Sequence, residues 1–122
     1  MTGVLRSRSG GKPIGYKAGA GVTVVQATSK ATAVVANALA GRITTAADSL
    51  AGAAEVAFTV TNPLVEVGDV PVLAIQSGGF GGTGTYQANV TAVAAGSFQV
   101  TLANVGATAS EAVAINFVVI KG

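Results

Sequence analysis

The chain contains neither cysteine nor histidine. Without cysteine it can form no disulfide bond, no thiolate nucleophile and no cysteine-ligated metal site. Without histidine it lacks the most common general base, and catalytic triads of the Ser-His-Asp or Cys-His type are excluded. Only carboxylates, lysines and hydroxyls are left for catalysis, so we predict that the protein is not an enzyme and has no catalytic, metal-binding or cofactor-binding residues.

Charged and aromatic side chains are also scarce. Of the 122 residues, 10% are charged and 5% are aromatic, whereas 50% are hydrophobic, most of them alanine and valine. A chain of this length forms one domain with a buried core, but so few charges cannot cover its surface. We therefore expect part of the apolar surface to be buried against other subunits or another protein. As a separate expectation, the protein is a homo-oligomer, with a trimer slightly preferred over a dimer.

Long apolar runs are missing as well. The longest one, residues 113–120, has eight residues and includes Asn116, whereas a membrane-spanning helix needs about 18 or more. The N-terminal residues lack the apolar segment of a signal peptide. These absences predict a soluble, non-exported protein that has no membrane partner.

The few charges are unevenly divided along the chain. Residues 1–42 contain six basic residues and no acidic one, and residues 43–122 contain one basic and five acidic residues. Residues 1–21 also contain six glycines and show no apolar periodicity, so we expect a flexible basic N-terminal arm followed by one domain over residues 22–122. The cations of this arm are Arg6, Arg8, Lys12 and Lys17. They suit an acidic protein surface, and they are too thinly spread to favour nucleic acid.

The clearest structural pattern lies in residues 85–102. Polar and apolar side chains alternate over residues 85–92 and again over residues 98–102, where Phe98 is the strongest candidate for a core residue. A period of two predicts strands with one buried and one exposed face. Gly96 lies between the two segments and suits a tight turn. The segment therefore predicts a β-hairpin.

Alternation or short apolar runs predict further strands. These span residues 22–26, 31–37, 42–45, 55–61, 70–76 and 113–120. Pro71 favours an edge position for residues 70–76, whose apolar run predicts burial on both faces. Thr45 and Asp48 could cap one helical turn. Regularly spaced turn signals and about eight strands predict an all-β fold, a single jelly-roll-like β-sandwich of antiparallel strands.

Two motifs could indicate chemistry, and a simpler interpretation fits both. Residues 79–84 match G-x-G-x-x-G, but that pattern binds a dinucleotide only where it opens a helix. Strand-patterned residues follow here, and Asn104 stands where an acidic residue is needed. We interpret the segment as a surface loop with Phe80 as an exposed contact. Glu66 and Asp69 flank a turn, which indicates a solvated loop rather than a glycosidase-like carboxylate pair.

Several stretches of the chain together resemble a group of small phage virion structural proteins. They are QATSK (26–30), GRIT (41–44), FTVTN (58–62), VAAGSF (93–98) and SEAVAINFVVIK (110–121). Proteins of this group are similar to capsid decoration (cement) proteins and to modules of head or tail fibres. The resemblance implies an all-β protein that assembles as an oligomer without enzymatic activity. It does not extend to the arm.

The resemblance implies two alternative functions. In the first, the protein is a capsid decoration protein on the outer surface of the phage head, where it stabilises contacts between capsid subunits. The arm residues Arg6, Arg8, Lys12 and Lys17 would then bind an acidic surface of the major capsid protein. In the second, it is a tail or head fibre module that binds a host receptor or glycan through residues 77–84 and 103–112. Either protein is made in the host cytoplasm and ends in the virion.

Overall fold

The computed structural model describes residues 21–76 and 84–122. Within these ranges the protein is all-β, with ten strands and no helix. The strands are β1 (Val22–Val25), β2 (Val34–Val35), β3 (Ala40–Thr44), β4 (Ser49–Leu50), β5 (Ala54–Thr61), β6 (Val70–Ile75), β7 (Tyr86–Ala94), β8 (Ser97–Asn104), β9 (Ala109–Ser110) and β10 (Ala114–Ile120). The strands that the sequence does not predict, β4 and β9, have two residues each. Two residues are too few to show a periodicity.

The strands form two four-stranded sheets and one short pair. The first sheet has the order β1-β3-β10-β6, the second sheet has the order β2-β5-β8-β7, and β4 pairs with β9. Because β1 runs parallel to β3 and β2 runs parallel to β5, the prediction of antiparallel strands throughout is wrong. The chain alternates between the sheets at its start, and a strand that returns to its sheet after such a crossing can run in the original direction.

The inward faces of the two large sheets share one apolar core. Buried side chains on β8 and β10 alternate with less buried ones, as a period of two requires. These buried residues are Phe98, Val100, Leu102, Ile115, Phe117 and Val119. The ring centroids of Phe98 and Phe117, one from each sheet, are 6.0 Å apart. The predicted inward faces of these two strands are therefore confirmed.

Gly41 on β3 gives the Phe117 ring its space. A Cβ atom at position 41 would lie 2.9 Å from Cε1 of Phe117 and would overlap the carbonyl oxygen of Val22. Val22 and Gly41 are register partners in the parallel pair of β1 and β3. A side chain at position 41 would push these strands apart or displace the aromatic ring.

The predicted hairpin is confirmed as β7 and β8. Gly96 lies in its turn with a φ of 82°, which is a conformation that favours glycine. A β-bulge shifts the register between Val90 and Ala92. The extra residue reverses the alternation beyond it, so Val93 packs against the core and Ala92 is exposed. The alternation predicted over residues 85–92 would place Ala92 on the inward face with Val90, and the bulge makes this part of the prediction wrong.

Two other local predictions need correction. The helical turn predicted between Thr45 and Gly52 does not form, and β4 occupies part of this segment. The Thr45 hydroxyl accepts a hydrogen bond from the Val113 N–H instead, and the Asp48 carboxylate accepts one from the Lys30 N–H. The edge position predicted for the strand with Pro71 is confirmed, since β6 ends the first sheet. Burial on both faces is wrong, because β6 alternates and Val72 is exposed.

Candidate interaction surfaces

Five residues predicted from the sequence as contacts lie outside the part of the chain that the structure describes. They are the arm residues Arg6, Arg8, Lys12 and Lys17 and the loop residue Phe80. Their roles stay predictions, as does the flexibility of the arm. Of the two segments predicted to bind a receptor or glycan, residues 103–112 are described, and they contain the end of β8 and the strand β9. The described surfaces that could contact a partner are the outer faces of the two large sheets.

The outer face of the second sheet is covered by hydroxyl and amide groups. It carries Thr59, Thr61, Gln87, Asn89, Thr91, Gln99 and Thr101. The Thr91 hydroxyl lies 2.9 Å from the Thr101 hydroxyl and donates to Oε1 of Gln99 at 3.1 Å. Glu55 is the only charged residue in the four strands of this sheet. The face can therefore hydrogen-bond a partner with little cost for removing charges from water.

A shallow depression of about 230 Å³ lies on this face beside the β-bulge. It is lined by Thr59, Ala92, Ala94, Ser97, Phe98 and Gln99. Its volume is below the roughly 300 to 1,000 Å³ of typical small-molecule sites, and its lining contains no titratable group. The depression is therefore suited to receiving one side chain of a protein partner rather than to enclosing a ligand.

The outer face of the first sheet has a different character. Register partners on neighbouring strands place its side chains in four rows across the sheet. The first row is Val25, Thr44 and Ala114, and the second is Thr23, Arg42, Asn116 and Ala74. The third row is Ala40, Val118 and Val72, and the fourth is Ile120 and Val70. The last two rows contain no polar side chain, and we call these five residues the apolar patch. Val70, Val72 and Ile120 are 52%, 44% and 53% exposed. A contiguous cluster of exposed apolar side chains is typical of a contact surface.

Two charged residues lie at opposite ends of the apolar patch. Arg42, in the adjacent row, is exposed; its Nε donates to Oδ1 of Asn116 at 3.4 Å, and it forms no ion pair with a described residue. Glu66 lies in the connection that leads into β6, and its side chain is 77% exposed. Its carboxylate is 3.8 Å from Nζ of Lys121, whose nearer partner is Asp69 at 2.5 Å. Both charges are therefore available to an outside partner.

Asp69 is not the solvated loop residue that the sequence predicts. It is buried, and its carboxylate accepts hydrogen bonds from Lys121 Nζ and from the N–H groups of Gly122 and Glu66. The hydrogen bond from Lys121 comes first among the interactions that lower the pKa of Asp69 to about 2, and it raises the pKa of Lys121. The group fastens the residues after β10 to the turn before β6, so its role is structural.

Lys30 is among the largest fully buried side chains of the described residues. Its Nζ donates to the carbonyl oxygens of Ala46 and Asp48 at 2.7 and 2.5 Å, and the Asp48 carboxylate lies 3.4 Å away. Gln26 completes the arrangement by donating to the Lys30 carbonyl and accepting from the Ala46 N–H. The ammonium thus replaces its water shell with backbone acceptors, which a buried charge requires. These bonds hold the β1–β2 loop against the β3–β4 loop.

Two further polar residues, Tyr86 and Asn104, form buried or partly buried hydrogen bonds. The Tyr86 hydroxyl donates to Oε1 of Glu111 at 2.8 Å, and burial followed by this hydrogen bond raises the pKa of Tyr86 to about 12. Asn104 is fully buried and accepts from the N–H groups of Thr85 and Gly106. Its amide also donates to two backbone carbonyls. Asn104 therefore serves as a loop anchor.

The apolar patch is absent from the predictions made from the sequence. Val72 lies within an uninterrupted apolar run, residues 70–75, which hides which side chains face outward. The signal becomes visible only when β6 is paired with β10, because the register sets Val70 beside Ile120 and Val72 beside Val118. In the sequence, only the low content of charged residues indicates that part of the apolar surface is available for contacts.

The described residues offer no metal site and no membrane-spanning helix. Within residues 21–76 and 84–122, no group of three or more acidic side chains could hold a metal ion. No helix that could cross a membrane occurs there. Comparison of the chain with protein families, with curated proteins and with solved structures found no match.

Proposed function

We propose that the protein is a phage virion structural protein of the capsid decoration type, located on the outer surface of the head. The observation that carries this proposal is the division of charge. Residues 21–122 hold three basic and five acidic residues, whereas residues 1–20 hold four basic residues and no acidic one. A weakly acidic body with two almost uncharged outer faces, joined to a basic segment, suits a protein that attaches to an acidic assembly and contacts its neighbours.

The fold fits this role as a rigid spacer. We take the two large sheets to form one β-sandwich related to the jelly roll, in which the crossings of β1, β2 and β3 add two parallel pairs. Lys30, Asn104 and Asp69 fix the loops with hydrogen bonds to the backbone. Polar groups that are used to hold loops in place support a structural function, since an active site would leave such groups free for a substrate.

The attachment itself would depend on Arg6, Arg8, Lys12 and Lys17. Each exposed ion pair contributes about 0 to 1 kcal/mol, so a single copy would bind the major capsid protein weakly. Many symmetric copies on one head would raise the total strength. Because each copy could contact more than one capsid subunit, it would stabilise the contacts between subunits.

Binding to heads of the encoding phage tests this proposal. Purified full-length protein is mixed with heads that lack it, and bound protein is measured after sedimentation. Reversing all four charges (Arg6→Glu, Arg8→Glu, Lys12→Glu, Lys17→Glu) should weaken binding by about ten- to a hundredfold, given the energy of exposed pairs. The matched control Arg6→Lys with Arg8→Lys keeps the charge and should bind like the wild type. Unchanged binding of the reversed variant would exclude attachment through these cations.

The alternative is a tail or head fibre module that binds a host receptor or glycan. The hydroxyl- and amide-covered face of the second sheet favours this alternative, since Thr91, Thr101 and Gln99 present hydrogen-bonding groups without charge. Binding of the isolated protein to host cells, together with no binding to heads, would replace the first proposal with the second. Electron microscopy of virions with gold-labelled antibody would locate the protein directly.

A further inference from the structure

We propose that two copies of the chain pack face to face through the apolar patch, Ala40, Val70, Val72, Val118 and Ile120. This pairing occurs in the isolated protein and does not depend on attachment to a capsid. It assigns a surface and an orientation to the self-association that the low charge of the sequence predicts.

The first reason is the composition of the patch. Val70, Val72 and Ile120 each expose roughly half of their surface, and their rows contain no polar side chain. Natural sheets usually place polar or charged groups on a face that stays in water. The second sheet follows this rule with its threonines, glutamines and asparagine, whereas this end of the first sheet does not. A chain that protects one outer face with polar groups and leaves the other apolar is suited to burying the apolar one.

The second reason is charge complementarity, which identifies the partner as another copy. Arg42 lies in the row next to the patch, and Glu66 lies beyond its other end, in the connection before Val70. Rows of one face are about 7 Å apart along a strand, so Arg42 is about two rows from the row of Ile120 and Val70. Consider a two-fold axis that lies between the two facing sheets and runs along the middle row, Ala40, Val118 and Val72. Rotation about this axis reverses the order of the rows in the second copy. It therefore brings Arg42 of each copy over the end of the partner that carries Glu66.

This arrangement forms two equivalent ion pairs around one apolar centre. An isologous contact of this kind has the same patch on both sides, and two sheet faces can approach to about 10 Å when their side chains interdigitate. Valine, alanine and isoleucine allow this approach because none of them is long. Arg42 gains an acidic partner that the described part of its own chain does not offer. The face joins copies in pairs, whereas a trimer would need a different contact between unlike surfaces.

Sedimentation equilibrium of the full-length protein tests the inference. The wild type should be a dimer in the micromolar range. Val72→Lys should weaken the dimer by more than about tenfold, because the ammonium would have to leave water. The matched control Thr59→Lys adds the same charge to an exposed strand position of the second sheet and should leave the dimer unchanged. Circular dichroism of each variant checks that the fold is retained.

A charge exchange tests the orientation of the two copies. Arg42→Glu and Glu66→Arg should each weaken the dimer, since each places like charges together, and the double variant should restore most of the wild-type affinity. A wild type that is monomeric at all concentrations, or a stable trimer, would overturn the inference. So would a Val72→Lys variant that dimerises like the wild type. Failure of the double variant to recover affinity would overturn the proposed orientation.

Discussion

The rings of Phe98 and Phe117 pack against each other across the two large sheets, with centroids 6.0 Å apart and planes inclined by 55°. Both side chains are almost fully buried. Phe98→Ala should lower the free energy of unfolding by about 3 to 5 kcal/mol, because it removes a large apolar group and leaves a cavity. Urea denaturation followed by circular dichroism measures this change.

The same pair predicts a coupling between the two sheets. Phe98→Ala and Phe117→Ala should together cost less than the sum of their separate effects, because each ring loses part of its packing when the other is removed. Thr59→Ala, at an exposed position, should change stability by no more than about 0.5 kcal/mol. Additive effects of the two Phe variants would show that the rings do not stabilise each other.

The buried ammonium of Lys30 predicts a second effect on stability. Lys30→Met keeps most of the side chain's length and removes the donor to the carbonyls of Ala46 and Asp48. These carbonyls are partly buried, so each one left without its donor should cost about 1 kcal/mol. Asp48→Asn is the matched control, because it keeps the hydrogen bonds from Lys30 to both backbone carbonyls and removes only the carboxylate charge. If Lys30→Met were as stable as Asp48→Asn, backbone capping by Lys30 would be unimportant.

The carboxylate of Asp69 predicts a dependence of stability on acid pH. Its pKa is lowered from 3.8 to about 2 in the folded protein, first by the hydrogen bond from Lys121. A lowered pKa means that the folded state holds the charged form more firmly than the unfolded state does. The resulting stability is therefore present above about pH 4 and is lost as the pH falls toward 2.

Thermal unfolding at a series of pH values checks this prediction. The melting temperature of Asp69→Asn should be lower than that of the wild type at neutral pH, and the difference should shrink as the pH falls through this window. Lys121→Met should show an intermediate effect, since the N–H groups of Gly122 and Glu66 still stabilise the Asp69 charge. A constant difference between Asp69→Asn and the wild type from pH 7 to pH 2 would contradict the lowered pKa.

The sequence predicts those parts of the fold in which local periodicity and burial agree. Phe98 to Leu102 and Ile115 to Val119 alternate strictly, and both segments are buried on the predicted side. The turn at Gly96 is predicted because glycine can adopt a positive φ, and its φ of 82° agrees. These features are set by residues within a few positions of each other.

Other features depend on contacts between distant residues, and sequence patterns do not show them. Lys30 stands in a polar stretch between two predicted strands, yet it is buried, and its ammonium donates to carbonyl groups 16 and 18 residues away. Asp48 has the spacing of a helix cap but bonds to Lys30 instead. The apolar patch likewise appears only when β6 is placed beside β10. The roles of the arm cations and of Phe80 stay predictions for the binding experiments.

The position of β10 in the first sheet has a consequence for folding during synthesis. β10 pairs with β3 on one side and with β6 on the other, yet it is the last described strand to leave the ribosome. The second sheet can assemble earlier, because β5, β7 and β8 all lie within residues 54–104. The nascent chain must therefore keep β3 and β6 unpaired with their central neighbour until residues 114–120 have left the ribosome. In this interval a chaperone would find exposed strand edges to bind, and aggregation would compete with folding.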